Sequence, residues 1–241
     1  GSGKSITNLA IMGLLPNQAK VTFSKAVYAG QELDLNNQKQ LSKLRGKKIA
    51  MIFQDPMSSL NPALTVGYQL CEGLQYHLGL NKKNSKEKAL HLLEQVGIDS
   101  PSRRILNYPF EISGGMAQRV MIAMAIACQP EILIADEPTT ALDVSIQAQI
   151  LELLRRLQAQ TKMSILFVTH DLALVKDISH RVQVMYAGHL VETGRTKEIL
   201  TSPLHPYTQA LLEARPRPHL PVRSPLASIP GLVPSPTDKQ I

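Results

Sequence analysis

The chemistry that can be read first lies in the opening five residues. Gly1-Ser2-Gly3-Lys4-Ser5 supplies the last five positions of a G-x-x-x-x-G-K-[ST] phosphate loop. Small residues let consecutive backbone N–H groups turn toward phosphate oxygens; Lys4 can then reach the β- and γ-phosphates, and Ser5 can place its hydroxyl on Mg²⁺. A second group is Ile132-Leu133-Ile134-Ala135-Asp136-Glu137-Pro138, an apolar run ending in two adjacent carboxylates. Asp136 suits a water-mediated hold on Mg²⁺, and Glu137 can orient or deprotonate an attacking water. A third is Ser113-Gly114-Gly115, where a capping serine and paired glycines open an apolar helix and form a second anion nest. One nucleotide rarely needs two nests this far apart, unless the second serves a nucleotide held by another molecule.

The elements that must position these groups follow from hydrophobic spacing. Ile6, Leu9, Ala10 and Gly13 recur at helical spacing, so a helix should follow the phosphate loop and aim its positive end at the anion. Four short apolar runs, Lys48–Phe53, Glu131–Asp136, Ser164–His170 and Arg181–Gly188, read as buried strands of a sheet covered on both faces. Val144–Gln160, with Ile146, Ile150, Leu153, Leu154 and Leu157 at helical spacing, reads as a crossover helix. Strand, helix, strand in that order implies a parallel α/β sheet. From about Leu64 to Val96 the pattern is helical, with two apolar stripes separated by a polar turn at Asn81–Lys86. A helical insertion in an α/β core is the economical reading. After Leu200 the chain becomes proline-rich, an extended tail with one short helix at Tyr207–Ala214.

Composition narrows the function classes. The chain has 241 residues and a net charge of +7, but its basic residues are scattered and aromatics are only 4%, which argues against a nucleic-acid partner. Two cysteines, Cys71 and Cys128, with no second ligand at metal spacing, fit a reducing compartment and no disulfide framework. The longest apolar run, Val120–Cys128, is too short to span a bilayer, and no secretory signal is read at this N-terminus.

Together these residues resemble the ATP-binding cassette (ABC) ATPases. Gly1–Ser5 is similar to the family's Walker A motif, Ile132–Glu137 to its Walker B, and Ser113–Arg119 to its signature, with Ile112 where leucine is usual. Thr139–Asp143 looks like the D-loop, Gln54 like the Q-loop glutamine and His170 like the switch histidine. Longer stretches, including Ala50–Pro62, Val184–Gly194 and Ser202–Ala214, resemble the dipeptide/oligopeptide importer branch, with nickel importers as close relatives.

The resemblance implies a P-loop NTPase (RecA-like) parallel-sheet core with an inserted α-helical subdomain. Its expected divisions are nucleotide-binding core 1–57, helical subdomain 58–124, core 125–200 and tail 201–241. It implies ATP and Mg²⁺ as ligands, with Glu137, His170 and Gln54 in catalysis and Ser5, Gln54 and Asp136 around the metal. Gly1, Ser2, Gly3, Lys4, Ser5, Ser113, Gly114, Gly115, Gln118 and Asp143 would contact nucleotide. The implied partners are a second homologous cassette, as a heterodimer, two transmembrane permease subunits and, indirectly, an extracytoplasmic substrate-binding protein. The implied place is the cytoplasmic face of a bacterial cell membrane. The family's first strands and adenine-stacking aromatic would precede Gly1, so these 241 residues by themselves are expected to bind ATP weakly. A nickel or other small-solute importer and a soluble non-transport cassette ATPase are the competing readings. The latter insert long coiled coils or zinc motifs in the helical region, and neither occurs here.

Overall fold

The computed structural model describes residues 2–140 and 142–214. Two compact units emerge among the described residues, one spanning Asn8–Val168 and the other joining residues 2–7 to residues 169–214.

The helix α1 (Lys4–Met12) is followed by a small antiparallel hairpin, β1 (Val27–Tyr28) with β2 (Gln31–Glu32), and by α2 (Gln38–Leu44). Then come β3 (Ile49–Ile52), the short α3 (Pro56–Ser59), α4 (Val66–Leu78), α5 (Lys82–Gln95), α6 (Pro101–Arg104) and α7 (Gly114–Ile126). The unit closes with β4 (Ile132–Asp136), α8 (Val144–Thr161) and β5 (Ser164–Val168). β3, β4 and β5 form one parallel sheet in that order, with Met51 beside Ile134 and Ile134 beside Leu166. The α8 crossover between β4 and β5 is the one its apolar spacing implies, burying Ile150, Leu153, Leu154 and Leu157.

The strands show why they read as continuous apolar runs. Along β3, Ala50 and Ile52 enter the large core with Leu70, Leu93, Ile122 and Leu133, while Ile49 and Met51 enter a second core with Met12 and Ile134. Successive side chains point to opposite faces, and both faces are covered, so no position is left for a polar residue. The helical layer α4, α5 and α7 therefore shares its core with one sheet face, and α1 lies on the other.

Two guanidinium groups fix the packing of helices. Arg45 donates from Nη1 to the carbonyls of Met12 and Gly13, satisfying the C-terminal end of α1. Arg119 on α7 donates to Val96 O beyond α5 and to Gln149 on α8, joining three helices. A third close approach uses the absence of a side chain. Gly67, buried in the first turn of α4, donates its N–H to Ile105 O at 2.8 Å. A Cβ there would lie 2.7 Å from that oxygen and 2.5 Å from Ile105 Cγ1. Gly67→Ala should therefore lower stability by about 1–3 kcal/mol. Gly73→Ala on the same helix, where an added Cβ meets nothing, should raise it by about 0.5–1 kcal/mol. Urea midpoints of the two variants should move in opposite directions.

Sequence reading and structure differ at three places in the elements. The residues 81–86 are not a turn: Asn81 accepts from Asn84 N and caps α5, which begins at Lys82. The polar side chains occupy the solvated start of a helix, which apolar spacing does not register. The strand read as Ser164–His170 stops at Val168, where Thr169 Oγ1 accepts the N–H of Asp171 and turns the chain. The fourth run is a strand, but it is paired antiparallel with a strand that apolar spacing did not reveal.

That pairing belongs to the other unit, which contains α9 (Leu172–Ile178), β6 (Arg181–Tyr186), β7 (His189–Arg195), α10 (Thr196–Thr201) and α11 (Pro206–Glu213). β6 and β7 form a two-stranded antiparallel sheet joined by Ala187 and Gly188, both at positive φ (+48° and +84°). Positive φ at both central residues is what a type I′ hairpin turn requires. Val175, Val182, Val184 and Ile199 form this unit's core. Glu192 of β7 accepts from the N–H groups of Leu204 and His205 at 2.7 and 3.2 Å, tying the approach to α11 onto the hairpin. The short helix expected near residue 207 is α11; the proline-rich residues 215–241 lie outside the described residues. No helix among the described residues is long and apolar enough to cross a membrane.

Candidate active site

β3 and β4 are in register, with Ile52 beside Ala135. Two residues past that pair, each strand delivers a polar side chain to the same carboxyl-terminal edge, where open α/β sheets bind ligands. From β3 it is Gln54 and from β4 it is Glu137, and Gln54 Nε2 donates to Glu137 Oε2 at 3.0 Å. Thr140 Oγ1 donates to the same carboxylate oxygen, also at 3.0 Å. Glu137 stands at φ +48°, with its N–H donated to Val168 O at 3.0 Å. A non-glycine residue in that region carries a backbone cost of about 1–3 kcal/mol. Asp136, the last residue of β4, is only 4% exposed, whereas Gln54 is exposed.

The segment beyond Glu137 is anchored to α8. Gln147 Nε2 donates to Thr139 Oγ1 at 3.3 Å, and Asp143 caps the helix by accepting from Ile146 N at 2.9 Å. The Ile146 N–H, and then the Ser145 hydroxyl, hold the Asp143 carboxyl below the usual aspartate range. A carboxylate lowered in the folded state adds stability above its unfolded pKa of about 3.9, and that stability is lost as pH falls through the folded value. Asp143→Asn should therefore flatten the acid end of the stability curve. A thermal-melt series should show parent and variant converging as pH falls through that range.

The second nest stands at the start of α7. Ser113 Oγ accepts from Met116 N at 3.3 Å, and Ser113 and Gly114 are exposed. Gly115 lies against the first turn of α8: a Cβ on it would stand 3.0 Å from Ile146 Cγ2. Gln118 is 1% exposed and offers a ligand almost no surface, because it lies on the face of α7 that also buries Ala117, Met121 and Ile122.

In the other unit, Gly3 has φ +89° and precedes α1, whose first residues are Lys4 and Ser5. Lys4 Nζ donates to Ser2 Oγ at 3.1 Å, and Ser2 O accepts the N–H of Gly188 at 3.2 Å. A Cβ on Gly3 would touch Gly188 Cα at 3.4 Å, so the loop backbone rests directly on the hairpin turn. Gly1 lies outside the described residues. His170 is exposed in the turn that Thr169 closes. The sheet edge thus brings Gln54, Asp136 and Glu137 together, and Lys4, Ser5 and His170 are placed within their own unit.

A nucleotide and Mg²⁺ both suit these donors. Gln54 and Asp136 offer oxygens to a cation at the sheet edge, and Ser5 offers a hydroxyl within its own unit; oxygen is the hard ligand that Mg²⁺ takes. No group of three or more His, Cys, Asp or Glu among the described residues could hold a metal. Mg²⁺ commonly uses one or two protein carboxylates and completes its shell with substrate phosphates and water. Thr140 and Arg119 lie in the stretches that resemble the D-loop and the signature, and the structure gives each a side-chain contact that the resemblance does not name.

Residues 1–140 match the family model described as "ABC transporter", and residues 191–240 match "Oligopeptide/dipeptide transporter, C-terminal region". The chain is 53% identical to the dipeptide transport ATP-binding protein of Escherichia coli, across 99% of this chain and 73% of that protein. It is 49% identical to the oligopeptide transport ATP-binding protein of Bacillus subtilis, across 99% and 67% respectively. Among solved structures, a dimeric ATP-binding cassette in a post-hydrolysis state with ADP and Pi superposes with a TM-score of 0.70, at 27% identity over 81% of each chain. A cassette from a Clostridium perfringens ABC transporter complex gives a TM-score of 0.69, at 26% identity over 83% of this chain and 76% of that one.

Proposed function

The chain belongs to the ABC transporter family, and from that premise we propose that it is the ATP-hydrolysing subunit that energises import of dipeptides and oligopeptides. The observation that carries the hydrolase reading is Glu137, a carboxylate held at the sheet edge by the amide of Gln54. The peptide reading is supported by the match over residues 191–240 and by relatives named for dipeptide and oligopeptide transport.

In this reading Ser2, Gly3 and the start of α1 receive the phosphates of ATP, and Lys4 neutralises charge on the β- and γ-groups. The Ser5 hydroxyl, the Gln54 amide oxygen and the Asp136 carboxylate would hold Mg²⁺, which would offset charge on the phosphate oxygens. Glu137 takes a proton from the water that attacks the γ-phosphorus. The bond from that phosphorus to the bridging oxygen breaks, and its electrons leave with ADP. His170 positions the γ-phosphate side of the site. Ser113, Gly114 and Gly115 serve the nucleotide of a second cassette packed head-to-tail, which explains why one chain carries two nests. Gln118 and Asp143 support that arrangement from within α7 and at the cap of α8. The second cassette is a homologous, non-identical subunit. The pair sits peripherally at the cytoplasmic face of the membrane on two permease subunits, which receive substrate from an extracytoplasmic binding protein.

The test is reconstitution of the full-length chain with the cassette, permeases and binding protein of its own system in vesicles. Dipeptide-loaded binding protein should stimulate ATP hydrolysis and drive uptake of labelled dipeptide. Stimulation by nickel or another small solute and not by peptide would overturn the substrate assignment, and hydrolysis with no transport of any solute would overturn the transport assignment.

A further inference from the structure

Glu137 has three side-chain torsions and a backbone in the left-handed region, so something must aim its carboxylate. Gln54 holds Oε2 at 3.0 Å, but Gln54 is exposed, and its amide is also wanted by the metal in the reading above. Thr140 is placed differently. It is half-buried, its N–H donates to Glu137 O at 3.1 Å, and its hydroxyl donates to Glu137 Oε2 at 3.0 Å. The four-residue turn from Glu137 to Thr140 thus folds the carboxylate back over its own backbone. Its neighbour Thr139, buried and held by Gln147 of α8, anchors that turn.

We infer that Thr140 is a positioning residue for the hydrolysis reaction, aiming the Glu137 carboxylate through its hydroxyl. This rests on the reading of Glu137 as the base. The two adjacent threonines divide the work: Thr139 fixes where the turn lies, and Thr140 fixes where the carboxylate points. The Thr140 hydroxyl is a donor that can hold the carboxylate independently of Gln54.

The test compares Thr140→Val, which keeps the shape and removes the donor, with Thr140→Ser, which keeps the donor, in the full-length chain within its membrane complex. Steady-state hydrolysis of ATP should show kcat reduced about ten- to a hundredfold in the valine variant, as for a misaimed catalytic group. KM for ATP should stay within about twofold, because the lost hydroxyl aims the base and is not assigned to nucleotide binding. Serine should restore kcat. Thermal melts of the complex separate this from unfolding, and if valine lowers Tm, Thr140→Ala should show the same kcat loss on the folded complex. Normal kcat in the valine variant overturns the inference, and so does a serine variant as slow as valine. Glu137→Gln is measured alongside: if it keeps full turnover, the base assignment itself falls. If it abolishes turnover while the valine variant is normal, only the role of Thr140 falls.

Discussion

Glu137→Gln will stop ATP turnover while leaving ATP bound. The substitution is nearly isosteric, and a glutamine oxygen can still accept from Gln54 and Thr140, which both donate to the carboxylate. The backbone at φ +48° and its N–H bond to Val168 are untouched. What disappears is the ability to take a proton from water. General-base contributions are worth about 10²–10⁴-fold, so kcat in the assembled full-length system should fall by that factor with ATP affinity retained. With the γ-phosphate uncleaved, the complex should accumulate as a closed cassette pair, visible as ATP-dependent co-migration of the two cassettes by size exclusion. Wild-type turnover in this variant would sink the assignment of the base.

Lys4→Ala should fail one step earlier. Lys4 is the first residue of α1, beside the positive φ of Gly3, and its ammonium donates to Ser2 Oγ. Alanine is the best helix former, so α1 should persist and the melting temperature should hardly move. A charged hydrogen bond contributes about 1.5–3 kcal/mol, and two phosphate groups share this one. ATP affinity of the full-length protein should therefore fall about a hundredfold or more, taking hydrolysis and uptake with it. Calorimetric titration distinguishes the two variants: Glu137→Gln binds without turning over, and Lys4→Ala binds about a hundredfold more weakly. Unchanged affinity in the alanine variant would remove the phosphate-loop role from Lys4.

Much of the scaffold was legible because it obeys simple periodicities. Three short apolar runs became β3, β4 and β5, since a strand covered on both faces has no polar positions to interrupt it. The α8 crossover and the Ser113 cap followed from helical spacing and capping chemistry. The cap of α5 at Asn81 was missed because a solvated first turn looks like a loop. β7 was missed because charged residues and Gly194 break its alternation, and its partner strand supplies the order instead.

The site divides in the same way. Residue types and spacing pointed to Glu137 and Gln54, but their contact depends on strand register, which no local window contains. The left-handed backbone of Glu137 and the aim of Thr140 depend on a turn fixed from α8, so neither leaves a mark in composition. Gln118 reads as polar and available, yet it stands on the buried face of α7 beside Ala117 and Met121. A motif names residues, and only the surrounding fold decides which of them face a ligand.

The two-sided packing of β3 has a consequence for how this chain can vary. A single inserted or deleted residue within the strand would exchange the occupants of the two cores. It would also bring a neighbour of Gln54, Phe53 on insertion or Asp55 on deletion, to the position beside Glu137. Steric fit and reactivity are thus encoded by one reading frame of four residues. Lineages can alter the side chains of β3 one at a time, but a change in its length should be lethal to folding and to chemistry at once. Sampling indels through residues 49–54 should therefore recover length variants only outside the strand.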